Sequence, residues 1–198
     1  MAKKGPDLTN LSRGSAQRDH GGAELQGPAG ISPRPGQRLC GDIGMHIDRH
    51  GNWHYQGSPI SRKELVTLFS TVLHRDGAGE HWLITPAEIA PVAVDDAALL
   101  AVALERDGDG EAQVLRFRTN VDTETVLSED RPLRVDIAPD SGEPAPYLRV
   151  DRGLEAKLTR AVFYALVDMA VEQWADGAHV LGVWSAGAFH VIGPAPED

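Results

Sequence analysis

One stretch, from Gly51 to Glu88, limits the possible folds of this chain more than any other part of the sequence. It begins with alternating aromatic residues, as in a strand, and Pro59 then interrupts that pattern. Ser61 and Glu64 have the spacing of a capping box, which marks the first turn of a helix. The helix itself is indicated by an apolar stripe of Leu65, Val66, Leu68, Phe69, Val72 and Leu73. The stretch therefore predicts a strand, a sharply started helix and a second strand that stops at Thr85-Pro86.

The rest of the chain predicts further strands and one more helix. Alternating apolar residues indicate a hairpin made of residues 43–47 and 52–56. The turn sequence at 107–110 indicates a second hairpin. Its strands would be 98–105 and 113–118, and shorter strands are predicted at 133–137, 147–150, 179–184 and 188–192. A long helix is predicted from about Leu154 to Ala175, because its apolar residues follow a helical period.

Composition divides the chain into three segments. Residues 1–39 are rich in glycine and proline and contain no aromatic residue, so we expect a disordered basic leader. Residues 40–96 predict an N-terminal α+β domain, and residues 97–198 predict a C-terminal α+β domain. Both contain a similar strand-helix-strand unit, at 52–86 and 146–187, which suggests an ancient duplication that a different strand order in the two units would exclude.

The charge and the apolar runs limit the possible partners. The formal net charge is −10, while residues 1–40 hold six Lys/Arg against three Asp/Glu, so the acidity lies in the folded part. An acidic body repels a phosphate backbone, so duplex nucleic acid is not an expected partner. The longest apolar run, 97–104, is too short to span a bilayer, and no signal-peptide pattern is present. We therefore expect a cytoplasmic protein without membrane insertion.

Several patterns that suggest chemistry have simpler explanations. His46, His50 and His54 are four residues apart, but on a hairpin this spacing does not converge on a metal, although His46 and His54 could be cross-strand neighbours. Ser185 superficially suggests a nucleophile elbow, but the preceding glycine is misplaced and no helix can follow. The single cysteine, Cys40, excludes an intramolecular disulfide and any multi-cysteine site. We therefore expect no catalytic residue, metal or cofactor.

Basic residues give the strongest indication of a ligand. Arg116 and Arg118 would share one strand face, and Arg149 lies on another predicted strand. The predicted long helix would carry a polar ridge of Lys157, Arg160, Tyr164 and Asp168. If these faces converge, three or four donors would clamp a phosphate or carboxylate; the alternative is a solvated face of surface ion pairs. Arg62, beside the free N–H groups at a helix start, is another candidate contact to an anion.

Several separated segments resemble one bacterial family of unknown function. The first is the pattern GxWxYxGxPIxRxxLVxLFxxVLxRDxxGxHxLxTPxE, matched by Gly51 to Glu88. Further similar segments are 116–120, 146–150, the beginning of the predicted long helix, and 182–187. The resemblance covers about residues 40–192. His54 departs from it, because an aromatic residue is expected there.

The resemblance implies two α+β domains with a duplicated core, the C-terminal one a pleckstrin-homology-like antiparallel sheet packed on one long helix. It also implies a site between the domains for a nucleotide-like ligand, with a role in signalling. The residues that it suggests for that site are Arg62, Thr85, Glu88, Arg118, Asn120, Arg149, Arg160, Tyr164, Trp184 and Ser185.

Together these observations favour a non-enzymatic sensor or adaptor that binds a small anionic ligand between two domains, and the resemblance implies that this ligand is nucleotide-like. Two alternatives remain open at this point. One is a protein–protein interaction module that uses an exposed sheet and the basic leader, and the other is a hydrolase of a phosphorylated small molecule.

Overall fold

The computed structural model describes residues 27–138, 142–175 and 177–196, which form mainly strands. The two α-helices among these residues are α1 (Lys63–Thr71) and α2 (Arg160–Val167). The strands are β1 (Arg38–Leu39), β2 (Met45–Ile47), β3 (Trp53–Tyr55), β4 (Ser58–Pro59), β5 (Leu73–Arg75), β6 (His81–Ile84), β7 (Glu88–Val94), β8 (Leu99–Asp107), β9 (Val114–Thr119), β10 (Glu124–Val126), β11 (Leu133–Ile137), β12 (Pro144–Arg149), β13 (Glu155–Leu158), β14 (Val171–Ala175), β15 (Ala178–Ser185) and β16 (Ala188–Pro194). The predicted α+β class is confirmed, and the likeness to a pleckstrin-homology fold stays a prediction.

The first two sheets have the same strand order. The first runs β4-β3-β2-β7-β6-β5, and the second runs β10-β9-β8-β13-β12-β11. In each, two three-stranded antiparallel meanders are joined by one parallel pair, β2 with β7 or β8 with β13. The repeated unit therefore comprises residues 45–94 and 99–158. The units proposed from sequence, 52–86 and 146–187, were wrong, because β14 and β15 belong to a separate sheet of order β14-β15-β16.

The first helix begins later than the capping box predicts. Arg62 is the N-cap of α1, with extended backbone angles and no side-chain cap, so Ser61 and Glu64 form no capping box. The helix ends at Thr71, and Leu73 starts β5 instead of completing the helical stripe. The strands predicted around it are confirmed, including the hairpin of β2 and β3 and the short strand β6.

The long helix predicted from Leu154 to Ala175 was wrong. Leu154, Ala156 and Leu158 are buried and alternate with the less buried Glu155 and Lys157, which is the two-residue period of a strand. The resulting strand β13 is hydrogen-bonded on both sides, to β8 and β12. Only eight residues then form α2, and the chain turns back into β14. The sheet ladders on both sides of β13 outweigh a helical pattern that was only local.

Order begins before residue 40, the predicted start of the first domain. Strand β1 pairs with β7 in parallel, within the segment predicted to be a disordered leader. Asp76 holds the chain upstream of β1, because its carboxylate accepts from the backbone N–H of Ala29 at 2.8 Å and from the indole of Trp82 at 2.9 Å. Burial opposes the charge on Asp76, but these hydrogen bonds and two more backbone donors hold its pKa below the ordinary value. The rest of the predicted leader, residues 1–26, lies outside the described residues.

One hydrophobic core joins the two predicted domains. It includes Ile47 and Leu73 from the first sheet and Leu99 and Phe117 from the second, all at most 3% exposed. We call residues 27–96 the first half and residues 97–196 the second half, and the surface along which they meet the seam. No described helix is long and apolar enough to cross a membrane.

Candidate functional site

The side chain of Asn120 links the two halves by hydrogen bonds at one end of the seam. Its side-chain oxygen accepts from the backbone N–H of Leu100 at 3.0 Å, within the second half. Its amide nitrogen donates to the carbonyl of Gly51 in the first half at 3.3 Å. Gly51 has φ +73°, and a Cβ there would lie 2.7 Å from that amide nitrogen. Only glycine allows this backbone conformation together with such a close approach.

Arg152 fastens the halves elsewhere along the seam. Its guanidinium donates to the carbonyls of Ser70 and Leu73, each at 2.9 Å, where α1 ends and β5 begins. These bonds satisfy carbonyls near the negative end of the helix. The next residue, Gly153, lies so close to the carbonyl oxygen of Arg75 that a Cβ would approach it to 2.6 Å. Sequence reasoning missed Arg152, because an arginine in a loop gives no signal of a distant partner.

Between the halves lies a groove of about 640 Å³, which we call the amphipathic groove. Its apolar wall combines residues of β3, the chain just before α1, α1 itself and β8. The lining residues are His50, Gly51, Asn52, Trp53, His54, Pro59, Ile60, Ser61, Lys63, Val66, Leu100, Val102 and Asn120. The first half therefore contributes the helix start, and the second half contributes strand β8 and the turn after β9.

The indole N–H of Trp53 is a buried donor that is unpaired within the described part of the chain. The residue is 1% exposed and its ring stacks on Phe69 with the centroids 6.1 Å apart. Its indole nitrogen is buried and has no hydrogen-bond partner among the described residues. Such an unpaired group costs about 1–3 kcal/mol of folding free energy. Unpaired buried donors are rare, and this one belongs to a residue that lines the groove.

The groove has an excess of positive charge at its rim. The ammonium of Lys63 lies 2.7 Å from one carboxylate oxygen of Asp122, and Arg118 lies 3.5 Å from the other. The hydrogen bond and charge of Lys63, followed by the charge of Arg118, lower the pKa of Asp122. Two cations thus share one carboxylate, which leaves one positive charge uncompensated. Arg62 is next to Lys63 at the uncapped start of α1.

A second cavity along the seam, of about 410 Å³, has the opposite character. We call it the ion-paired cavity. Its charged lining residues are two arginines and three carboxylates, namely Arg75, Arg134, Glu80, Asp96 and Glu155. Asp96 also accepts from the Tyr147 hydroxyl at 2.7 Å and pairs with Lys157.

Arg134 is the centre of this cavity. Two of its nitrogens lie 2.8 and 3.0 Å from the two carboxylate oxygens of Glu155, a bidentate arrangement. Its guanidinium also lies 4.2 Å from the centre of the Tyr147 ring. Hydrogen bonding to Glu155 is the main cause that raises the pKa of Arg134, and the same bond lowers the pKa of Glu155. Apart from Glu80, the charged lining residues of this cavity are paired with one another or with Lys157, whereas Lys63 and Arg118 share a single carboxylate at the rim of the amphipathic groove.

The candidate residues predicted from sequence fall into separate places. Asn120 lines the amphipathic groove, Arg118 lies on its rim, and Arg62 is at the adjacent helix start. Sequence reasoning missed Lys63 and Trp53 at this site. A lone exposed lysine gives no signal, but Trp53 was part of the most distinctive sequence pattern.

The other predicted site residues lie elsewhere. Thr85 forms a corner with Glu88, which pairs with Arg38, and Arg149 is exposed on β12. Arg160 and Tyr164 bond to each other on α2, at 2.9 Å.

Trp184 and Ser185 are also remote from the amphipathic groove. The ring of Trp184 packs on Phe189, with the centroids 5.4 Å apart. Ser185 is fully buried, accepts from the backbone N–H of Leu115 and donates to the carbonyl of Leu127. Both bonds of Ser185 support the fold.

The histidines of the first hairpin are neighbours. His46 lies opposite His54, with the ring centres 5.6 Å apart. His46 bonds Asp95 at 2.8 Å, and His54 bonds Asp48 at 3.3 Å. Within the described part of the chain, no group of three or more His, Cys, Asp or Glu side chains is arranged to hold a metal.

Comparison with known proteins identifies the family. Residues 35–97 match the model described as "Domain of unknown function (DUF1285), N-terminal domain", and residues 98–192 match "Protein of unknown function (DUF1285), C-terminal domain". No curated protein matches the chain.

Two solved structures are similar over most of their length. A DUF1285 family protein from Silicibacter pomeroyi DSS-3 is 40% identical, with a TM-score of 0.73 over 84% of this chain and 91% of that one. A second, from Shewanella baltica OS155, is 31% identical, with a TM-score of 0.52 over 64% of this chain and 91% of that one. Because the matches span both halves and the first relative aligns over nearly its full length, this chain belongs to the DUF1285 family.

Proposed function

We propose that this protein is a non-enzymatic sensor or adaptor that binds a small anionic ligand in the amphipathic groove between its halves. The observation that carries the proposal is the rim, where Lys63 and Arg118 share the single carboxylate of Asp122. An anion there would meet an uncompensated positive charge close to the uncapped start of α1. The ion-paired cavity is a weaker candidate, because an anion would face three carboxylates.

The chemistry of the groove favours binding over turnover. Ser61 lines it together with His50 and His54, but its hydroxyl makes no hydrogen bond to either ring in the part of the chain that the structure describes. His54 is already bonded to Asp48. A nucleophile needs an adjacent base to activate it, and this pairing is missing among the described residues of the groove.

A ligand in this groove would contact both halves and therefore favour the arrangement in which they are docked. Binding to one arrangement shifts the balance between arrangements by the difference in affinity. We place this role in cytoplasmic signalling, in line with the family resemblance of the sequence. A nucleotide is the ligand class that the resemblance implies, so nucleotides belong in the first test.

The test is a thermal-shift and calorimetric screen of AMP, ADP, inorganic phosphate and simple carboxylates. We expect at least one anion to raise the melting temperature of the wild type by several degrees. Lys63→Gln should weaken its binding about tenfold, because it removes one charge-assisted contact. Arg106→Gln is the control, since Arg106 pairs with Asp109 at a hairpin away from the groove. If no anion binds, or if both variants weaken binding equally, the proposed site is wrong.

A second candidate function, a protein–protein interaction module, is favoured by the third sheet. Trp174 is 72% exposed on β14, and Val171 and Val191 are also exposed. Large exposed apolar residues are a common feature of protein interfaces. A partner that is captured by the wild type but lost with Trp174→Ser, while anion binding stays unchanged, would support this function. Equal capture by both proteins would contradict it.

A further inference from the structure

We propose that the amphipathic groove selects a monocarboxylic acid with a short aliphatic chain, in preference to a nucleotide. This inference rests on the proposed function and specifies the ligand class of the same site. It follows from the surface of the apolar wall, the amount of charge at the rim and the unpaired donor of Trp53.

The apolar wall of the groove is aliphatic where it is accessible. Val102 is 39% exposed on β8, and Ile60, Val66 and Leu100 are each partly exposed. These side chains come from both halves and line the same space. An aliphatic chain that covers them would gain about fourfold in affinity for each buried methylene group.

The groove offers a nucleobase no open tryptophan, tyrosine or phenylalanine face, and its accessible rings are the imidazoles of His50 and His54. Among its described lining residues, the only tryptophan, tyrosine or phenylalanine is Trp53. Trp53 is 1% exposed and its ring already stacks on Phe69. Proteins that hold bases commonly stack them on accessible aromatic rings. The wall therefore suits a chain of methylene groups better than a base.

The charge at the rim matches a single negative charge. Lys63 and Arg118 share Asp122, so one positive charge remains. Arg62 and Glu64, on either side of Lys63 in the sequence, carry opposite charges and leave this balance unchanged, and the carboxylates of Asp122 and Glu64 repel further negative charge. A phosphate with two or more charges would meet this repulsion with only one uncompensated cation, whereas a carboxylate would be neutralised. Arg118, whose guanidinium is engaged by Asp122, presents no free fork of the kind that binds phosphate in a bidentate way.

The buried indole N–H of Trp53 gives the site a spectroscopic reporter. It has no partner among the described residues, and Trp53 lines the groove. A small movement of the lining side chains that brings a carboxylate oxygen to this N–H would form the missing hydrogen bond. We therefore expect the indole N–H signal of Trp53 to shift when the carboxylic acid binds.

The experiment measures binding of octanoate, hexanoate, 1-octanol, AMP and inorganic phosphate to the full chain by calorimetry. Octanoate should bind about fifteenfold more tightly than hexanoate, because it is longer by two methylene groups. Lys63→Gln should weaken octanoate about tenfold, and Val102→Glu should abolish binding by placing a negative charge on the exposed wall. Arg106→Gln should leave it unchanged.

A ¹H–¹⁵N spectrum of the tryptophan indoles supplies an independent readout. Octanoate should shift the Trp53 signal, assigned by its loss in Trp53→Phe, and leave that of the distant Trp174 in place. Should Trp53→Phe fail to fold, selective relaxation by a spin-labelled octanoate assigns the signal instead.

The outcomes separate this inference from the proposed function. If AMP or phosphate binds in a Lys63-dependent way and octanoate does not, the ligand class is wrong and the proposed function stands. If 1-octanol binds as tightly as octanoate, the carboxylate is not recognised and the inference is overturned. If none of the anions binds, the inference and the proposed function both fail.

Discussion

The amphipathic groove and the ion-paired cavity lie along the same seam but differ in how completely their charged groups are paired. In the ion-paired cavity, Glu155 lies between Arg134 and Arg75, and Asp96 lies between Tyr147 and Lys157. At the rim of the amphipathic groove, the carboxylate of Asp122 pairs with both Lys63 and Arg118. The indole N–H of Trp53 has no hydrogen-bond partner among the described residues. The first arrangement holds the halves together, and the second leaves interactions available to a ligand.

The difference shows that charge alone does not identify a binding site. The ion-paired cavity contains more charged side chains than the groove, including an arginine on an aromatic face. Its guanidinium groups are already occupied, so a ligand would have to break existing bonds before forming its own. What distinguishes the groove is unsatisfied hydrogen-bonding and charge capacity beside an accessible apolar wall.

The largest expected effect comes from the close contacts of the seam itself. Gly153→Ala should lower the free energy of unfolding by about 3 kcal/mol, because its Cβ would meet the backbone oxygen of Arg75 at 2.6 Å. Gly51→Ala should cost about 2 kcal/mol, since its Cβ meets the more easily displaced side chain of Asn120. Urea unfolding measures both.

Gly57→Ala is the matched control for these two changes. Gly57 also has a positive φ, +79°, but no atom lies within 4 Å of its Cβ position. We expect about 1 kcal/mol from backbone strain alone. If Gly153→Ala is no worse than this control, the halves are not packed as tightly as the structure indicates.

The next effect tests the mutual compensation in the ion-paired cavity. Glu155→Gln should destabilise the protein by roughly 2 kcal/mol, because Arg134 and Arg75 both lose their shared carboxylate while Glu155 is well shielded. The same change should let the cavity bind phosphate, detectable by calorimetry, since Arg75 loses its carboxylate partner and Arg134 keeps only Asp136. A variant as stable as the wild type would show that these pairs do not hold the seam.

A smaller effect concerns pH and His81, which lines the ion-paired cavity. Burial, followed by the charge of Arg75, lowers the pKa of His81 to about 4. Between pH 6.5 and 4, the unfolded chain therefore binds a proton that the folded chain does not, so stability falls as the pH is lowered through this window. We expect about 1 kcal/mol from His81, less than the full shift implies because the ring is partly exposed.

Thermal unfolding at several pH values can isolate this contribution. His74 and His190 also have pKa values lowered chiefly by burial. They therefore lower the stability in acid in the same direction, in the wild type and in a His81→Gln variant alike. His81→Gln should therefore reduce the pH dependence without removing it. An unchanged slope between pH 6.5 and 4.5 would mean that His81 is not kept neutral by the fold.

The smallest effect on stability is expected at the rim of the amphipathic groove. Asp122→Asn should leave the free energy of unfolding nearly unchanged, because its ion pairs are exposed. Asparagine also tolerates the φ of +62° at this position. The same change should tighten octanoate binding several-fold, since both cations become available. A loss of affinity would show that Asp122 positions Lys63 for the ligand.

Local sequence patterns predicted most of the strands. The hairpins of β2 with β3 and of β8 with β9, and the bounds of β11, follow from alternation and turn residues within a few positions. The prediction failed at 154–175, where small and apolar residues fit both a helix and a strand. Hydrogen bonds from β8 and β12 decide that choice, and both strands are distant in the sequence.

The candidate site was only partly predictable for the same reason. Arg62, Arg118 and Asn120 were suggested from sequence, and the fold places all three at or beside the amphipathic groove. Lys63 was overlooked, because nothing local distinguishes it from a solvated lysine.

What the sequence determined by itself was most of the strands, including those within the distinctive stretch from Gly51 to Glu88, because alternation and turn residues act over a few positions. The tertiary structure decided which strands pair, which half faces which, and which charges are shared. In the folded chain, the indole N–H of Trp53 is buried without a partner among the described residues. Asp122 pairs with Lys63, which is distant in the sequence, as well as with the nearby Arg118. Pairing and burial are long-range properties, so a binding site made of unsatisfied groups exists only after folding.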